Sequence, residues 1–221
     1  MSYNIAVDGP AGAGKSTIAK AVAKRMGLIY VDTGAMYRAM ALHMLKQGVN
    51  IEDNEAVIRE CVNPDITIKY EDGVQVVYLN GENVNGFLRT EEVGNAASKT
   101  SVLMPVRVRL VELQQKLAAE SDCIMDGRDI GTCVLPNADV KIYLTASSEV
   151  RAKRRYKELT EKGQVCDIAE IQRIIEERDY RDMNREASPL QQAEDAVLVD
   201  SSDMTIEEVI DTIISICESK R

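Results

Sequence analysis

Gly9-Pro10-Ala11-Gly12-Ala13-Gly14-Lys15-Ser16-Thr17 is a run of spaced glycines closed by a lysine and two hydroxyl residues, a combination suited to holding phosphate. The glycines let the backbone turn tightly and aim successive N–H groups into one concavity, and the start of a following helix adds positive potential. Lys15 can reach the β- and γ-phosphates. The Ser16 hydroxyl can sit on Mg²⁺, a hard cation that takes most of its ligands from water and phosphate oxygens. A short apolar run precedes the segment and a helical pattern follows it, the context a phosphate loop requires and an incidental glycine-rich turn lacks. Gly9 to Thr17 are therefore expected to bind ATP, with Mg²⁺ at Ser16.

Arginines cluster elsewhere. Arg151, Arg154 and Arg155 fall on one side of a helix expected to begin near Ser147 or Ser148, and Arg178, Arg181 and Arg185 recur at three- and four-residue spacing on another. The second helix should start at Asp167, with Glu170 three residues on, and pack Ile168, Ile171, Ile174 and Ile175 inward. On an arbitrary helix the arginines would form a solvated face paired with Glu176, Glu177, Asp179 and Asp182. Beside a phosphate loop another use is open, because planar, always-charged guanidinium groups stabilise the charge spread over the oxygens of a phosphoryl group in transfer. The loop 160–166 then reads as the tip of a lid, about 150–185, that excludes water as a competing acceptor.

Strand ends supply the remaining candidates. Asp32-Thr33-Gly34-Ala35-Met36-Tyr37-Arg38 puts a hydroxyl at a helix start and an arginine on its first turns, a cradle for a second phosphate. The apolar Cys123 to Met125 runs into Asp126-Gly127-Arg128-Asp129, charged groups where open parallel sheets bind ligands, and Asp126 could orient the water shell of Mg²⁺. Neither turn is distinctive alone. With the phosphate loop they suggest two anionic substrates held facing each other.

These groups need an α/β frame to position them. Strands are expected at Tyr3 to Val7, Leu28 to Val31, Cys123 to Met125, Val140 to Thr145 and Val197 to Val199, and helices at Ser16 to Met26, Ala35 to Lys46 and Ile206 to Cys217. Gly27 and Gly48 mark helix ends. Strands alternating with helices imply a parallel sheet covered on both faces. Residues 63–88 break the alternation: Asp72-Gly73 and Asn80-Gly81 are hairpin turns between β-rich runs, which predicts a three-stranded antiparallel insert, with an edge extension of the main sheet as the alternative.

The 221 residues, 45% hydrophobic and 29% charged, suit a single domain with inserts. A net charge of −9 argues against a nucleic-acid or anionic-membrane partner, and no apolar run is long enough to span a membrane. Five scattered cysteines without a C-x-x-C pair and a single histidine give no zinc site, and suggest reduced thiols in the cytoplasm. His43 is expected to be a partly exposed helix residue, with no partner for nucleophilic catalysis. Nothing in the pattern demands an exposed apolar face, so a monomer is expected.

Taken together, Asp8 to Thr17, Asp32 to Arg38, Arg89-Thr90-Glu91-Glu92-Val93 with Asn95-Ala96-Ala97-Ser98, Asp126 to Thr132, and Glu177-Arg178-Asp179 leading to Arg181-Asp182-Met183-Asn184-Arg185 resemble the bacterial-type cytidylate kinases. The likeness runs almost end to end. It implies a phosphate-loop kinase fold with a three-stranded insert in the monophosphate-binding part, and transfer of the γ-phosphoryl of ATP to CMP or dCMP. It also implies that Thr33, Arg38 and Arg128 hold the acceptor phosphate, with Arg185 reaching it, and that Ser98, Arg107 and Asp129 read the cytosine. Asp182, steadied by Arg178, is the implied sugar contact, and Arg154 and Arg155 the lid arginines that act with Lys15 and Arg128 on the transferring group. The family commonly has Pro-x-Val-Arg where this chain has Met104-Pro105-Val106-Arg107-Val108-Arg109. Counting from Ser98 and back from Gln114 selects Arg107, with Arg109 as a rival.

No general base is required, since a monophosphate with a second pKa of about 6 is already largely dianionic at neutral pH. Two other readings fit the phosphate loop: a kinase for another small acceptor such as AMP or a shikimate-like metabolite, and a nucleotide-dependent switch without catalysis.

Overall fold

A computed structural model describes residues 2–220. In chain order the elements are β1 (Asn4–Asp8), α1 (Lys15–Met26), β2 (Ile29–Asp32), α2 (Thr33–Lys46), α3 (Asn54–Glu60), β3 (Ile66–Glu71), β4 (Val74–Leu79) and β5 (Glu82–Asn83). Then come α4 (Glu91–Thr100), α5 (Met104–Glu120), β6 (Cys123–Asp126), a π-helical turn (Ile130–Val134), β7 (Val140–Thr145), α6 (Ser148–Glu161), α7 (Ile168–Asn184), β8 (Val197–Asp200) and α8 (Ile206–Ser219). The described residues divide into two compact units, one built from residues 29–122 with Ser2, the other from 3–28 and 123–220.

In the second of these, parallel strands lie in the order β6-β1-β7-β8. Their apolar runs carry no polar face because both faces are covered: Ile5, Ala6, Val7, Ile124, Met125, Ile142 and Leu144 are all buried. The register pairs Val7 with both Asp126 and Ile142, so the ends of β1, β6 and β7 come level beside the loop that follows β1. Helix α1 packs against β6 and α8 through Ile18, Ala19, Val22 and Ala23. Gly27 closes it at φ 70°, its N–H donating to the Ala23 carbonyl. A reciprocal capping box of Thr205 and Glu208 starts α8, and Arg25 of α1 pairs with Asp211 and Glu207 of that helix.

Helices α6 and α7 pack on each other. Ser147 caps the first and Asp167 the second, as the sequence predicts. The inward isoleucine stripe expected on α7 is corrected: Ile171 is buried, but Ile168 and Ile174 are 39% and 49% exposed. That helix buries little beyond its line of contact with α6, and only Ile171 falls on that line deeply enough to be covered.

In the other unit, β3, β4 and β5 form a separate three-stranded antiparallel sheet. Asp72 and Gly73, and Asn80 and Gly81, all have positive φ, which is why these dipeptides make the turns. Helix α2 packs on α4, with Ala41, Ala96 and Ala97 allowing close approach beneath Tyr37, Leu45 and Ile51. His43 differs from the expectation of partial exposure. It lies on the buried side of α2, 4% exposed, and its Nε2 is 2.6 Å from Glu60 Oε1 at the end of α3. The partner makes burial of the ring affordable, and it holds the Glu60 carboxyl below its ordinary pKa.

Candidate active site

The loop between β1 and α1 turns through Gly9, Gly12 and Gly14 at φ 145°, 77° and 89°. At Gly9 the constraint is double, because a Cβ would also overlap the Leu144 carbonyl oxygen of β7. Lys15 opens α1 and is 5% exposed, and its Nζ donates to the carbonyls of Gly9 at 2.8 Å and Pro10 at 2.7 Å. Burial drives the Lys15 ammonium well below the usual lysine range. Arg128 pushes it the same way and Arg178 adds to this, while Asp126 and Asp8 oppose them. Lysine and two guanidinium groups thus make a positive field of the kind that phosphate relieves.

Ser16 Oγ donates to Asp126 Oδ2 at 2.8 Å. The two oxygens, at the start of α1 and the end of β6, are hard donors beside the phosphate loop and suit Mg²⁺ bound chiefly through phosphates and water. After Asp126, Arg128 Nε donates to Asp182 Oδ2 of α7 at 2.9 Å, and Arg185 Nη2 lies 3.5 Å from Asp129 Oδ1. Arg185 Nε also donates to the Ser188 carbonyl at 2.7 Å. Two carboxylates of α7 therefore serve arginines of other elements rather than neighbours one turn away. Asp182 takes Arg128, and Asp179 takes a bidentate pair from Arg151 at 3.1 and 2.6 Å.

Arg151, like Arg181, is a member of the arginine clusters to which the sequence assigns no role. It is 5% exposed and also donates to the Ala11 carbonyl at 2.9 Å and the Ala146 carbonyl at 2.8 Å. One guanidinium thus joins the phosphate loop, the end of β7 and α7. Its position four residues after the N-cap Ser147 was the available signal. Arg154 donates to the Ser201 carbonyl at 2.7 Å, while Arg155 stays half-exposed with Glu158. Arg181 is exposed and donates to the Glu177 carbonyl.

The other unit holds the rest of the predicted set. Asp32 caps α2 by accepting from Ala35 N at 3.0 Å and takes Arg89 Nη2 at 3.2 Å. Its main chain is gripped by Gln75 of β4, which accepts from Asp32 N at 2.8 Å and donates to Asp32 O at 3.2 Å. Thr33 is buried, and the Arg38 guanidinium lies over Gly34, where a Cβ would come within 3.1 Å of it. Arg107 is 2% exposed, donates to the Ser101 carbonyl at 3.1 Å and stacks on the Tyr37 ring at 5.6 Å. Its rival Arg109 donates to the Pro64 carbonyl at 3.0 Å. Ser98 is half-buried on α4, three residues before Ser101.

A glycine-rich loop between a parallel strand and a helix, with a buried lysine and a serine–aspartate pair beside it, defines the phosphate-loop class of α/β protein. A gluconokinase from Sinorhizobium meliloti has this fold, at a TM-score of 0.50 and 12% identity over 98% of this chain and 92% of that one. The chain belongs to the cytidylate kinase family, whose sequence model matches residues 5–219. Curated cytidylate kinases of Caldicellulosiruptor bescii and Lactobacillus johnsonii are 50% and 48% identical to it, over 96% and 98% of this chain and 94% of each relative. That of Lactiplantibacillus plantarum is 48% identical over 100% of this chain and 97% of its own length.

Proposed function

We propose that the protein transfers the γ-phosphoryl of ATP to CMP and dCMP, giving CDP and dCDP. The observation that carries the reading is identity of about half along nearly the whole chain with curated cytidylate kinases. Gly9 to Thr17 cradle the donor phosphates, with Lys15 as the point charge on them. Ser16, backed by Asp126, holds Mg²⁺, which supplies charge neutralisation on the donor phosphates when bound.

Thr33, Arg38, Arg128 and Arg185 hold the acceptor phosphate. Ser98, Arg107 and Asp129 read the cytosine, whose O2 and N3 accept hydrogen bonds and whose amino group donates one. Burial against Tyr37 favours Arg107 over Arg109 in that role. Asp182 contacts the sugar, with Arg178 beside it, and tolerates its 2′-deoxy form. Helices α6 and α7 act as the lid. Arg155 meets the transferring group with Arg154 next to it, and lid closure keeps water from accepting the phosphoryl. Catalysis is positioning plus charge stabilisation. The protein works as a cytoplasmic monomer on free nucleotides, not on nucleic acid.

ADP release from Mg·ATP with CMP, dCMP, UMP, AMP, shikimate or no acceptor tests this. Rapid turnover with CMP and dCMP, little with AMP, and almost none without acceptor is expected. A rate that no acceptor raises above background would overturn it.

A further inference from the structure

Asp8 ends β1 and is 5% exposed, yet both its carboxylate oxygens are engaged: Oδ1 accepts from Ile130 N at 2.8 Å and Oδ2 from Gly131 N at 2.7 Å. These N–H groups open the π-helical turn Ile130–Val134, whose N-cap residue is Asp129. An aspartate at an N-cap ordinarily gives its own side chain to the N–H groups just inside the helix. Asp129 makes no such bond, and its Oδ1 lies instead 3.5 Å from Arg185.

We propose that Asp8 is a positioning residue for acceptor selectivity: it caps the Ile130–Val134 turn in place of Asp129 and so keeps the Asp129 carboxylate turned to the acceptor base. The inference rests on the reading of Asp129 as the cytosine contact. Asp8 is placed for this with little slack. The residue after it is Gly9, fixed against Leu144, and the residue before it, Val7, accepts from Gly127 N at 3.0 Å. Gly131 leaves the room: a Cβ there would press to 3.1 Å on Lys141 Cδ and to 3.4 Å on Asp8 Oδ2.

Without Asp8 the buried N–H groups lose their acceptor. The carboxylate next to them in the chain is that of Asp129, which would cap its own turn as short polar side chains do. Uracil carries a carbonyl where cytosine carries an amino group, so a correctly held carboxylate rejects UMP and a diverted one does not.

The test is the ratio of kcat/KM for CMP to that for UMP in wild type, Asp8→Asn, Asp129→Asn and the double variant. In Asp8→Asn the side-chain oxygen serves one N–H while its amide opposes the other, and the ratio is expected to fall at least tenfold. The double variant should be no less selective than Asp129→Asn alone, because Asp8 acts through Asp129. A ratio within twofold of wild type in Asp8→Asn, or losses that add in the double variant, overturns the proposal alone. An unchanged ratio in Asp129→Asn overturns the base-reading assignment and the proposal with it. Asp8→Ser, whose hydroxyl still accepts from one N–H, replaces the asparagine variant if that one does not fold.

Discussion

Lys15 sits at the junction of two demands, since it caps its own loop through the Gly9 and Pro10 carbonyls and is the cation nearest the proposed donor site. Lys15→Ala should cost on the order of 10³-fold in kcat while leaving circular dichroism and the melting curve close to wild type. Turnover within tenfold of wild type would remove the lysine from the chemistry. Asp8 gives a second prediction at this scale. Burial raises its pKa from 3.8 to about 6, with Asp129 adding to the rise and the Gly131 and Ile130 N–H groups and Lys15 opposing it. A carboxyl with a raised pKa in the folded state favours folding below the unfolded pKa and loses that contribution as pH rises through about 6. Wild type should therefore lose roughly 3 kcal/mol of stability between pH 3.5 and 7 relative to Asp8→Asn, read from denaturant midpoints at the two pH values. A difference independent of pH would contradict it. The sequence exposed Lys15 because glycine spacing is a local code. It did not expose the part played by Asp8, since its partners are 122 and 123 residues away and only the pairing of β1 with β6 brings them together.

At the level of elements, the parts legible in the chain were those with local signatures: buried strands as apolar runs, hairpins as Asp-Gly and Asn-Gly, helix starts as Asp or Ser. The alternation of β1, α1, β6, β7 and β8 followed directly. What stayed hidden was partnership between elements. The acids of α7 looked equally able to pair along their own helix, and only the fold gives Asp179 to Arg151 and Asp182 to Arg128. Helices α4 and α5 were likewise hard to see, because the sides they bury carry small or polar residues, Ala96, Ala97 and Thr100 in one and Arg107 and Gln114 in the other, which weakens the apolar signal. The Arg151–Asp179 pair, 5% and 13% exposed, makes a prediction here. Asp179→Ala leaves a buried guanidinium partly unpaired and should cost about 3 kcal/mol. It should also speed proteolysis in the 162–167 connection more than elsewhere, seen by limited digestion and mass spectrometry. Uniform loosening, or none, would mean that the pair does not tie α7 down.

For the molecule as a whole, the chain leaves one compact unit after Leu28 and returns to it at Cys123, so the predicted residues are shared between two units: Thr33, Arg38, Ser98 and Arg107 in one, the phosphate loop and Arg128 to Arg185 in the other. CMP, bound as proposed, should stabilise the molecule by linkage. CMP at one hundred times its dissociation constant is expected to add about 2.7 kcal/mol, visible as a raised melting temperature, and UMP at the same concentration clearly less. Equal shifts for the two nucleotides would argue against discrimination at the base. The net charge of −9 disfavours general attraction of nucleotides, so that affinity for their phosphates has to come from the local cluster of Lys15, Arg128 and Arg178.

In the proposed lid, the hydrogen bonds of Arg151 to Ala11, Ala146 and Asp179 would set a fulcrum near the first turn of α6. At 1.5 Å per residue Arg154 stands roughly 4.5 Å from the fulcrum and the far end of the helix roughly 15 Å from it. A swing of about 15° would carry the tip some 4 Å while displacing the backbone at Arg154 by only about 1 Å. Large sweeps at the rim and fine placement near the pivot are then one rotation seen at two radii. The thiol of Cys166, just beyond the end of the arm, is a natural place to read its amplitude.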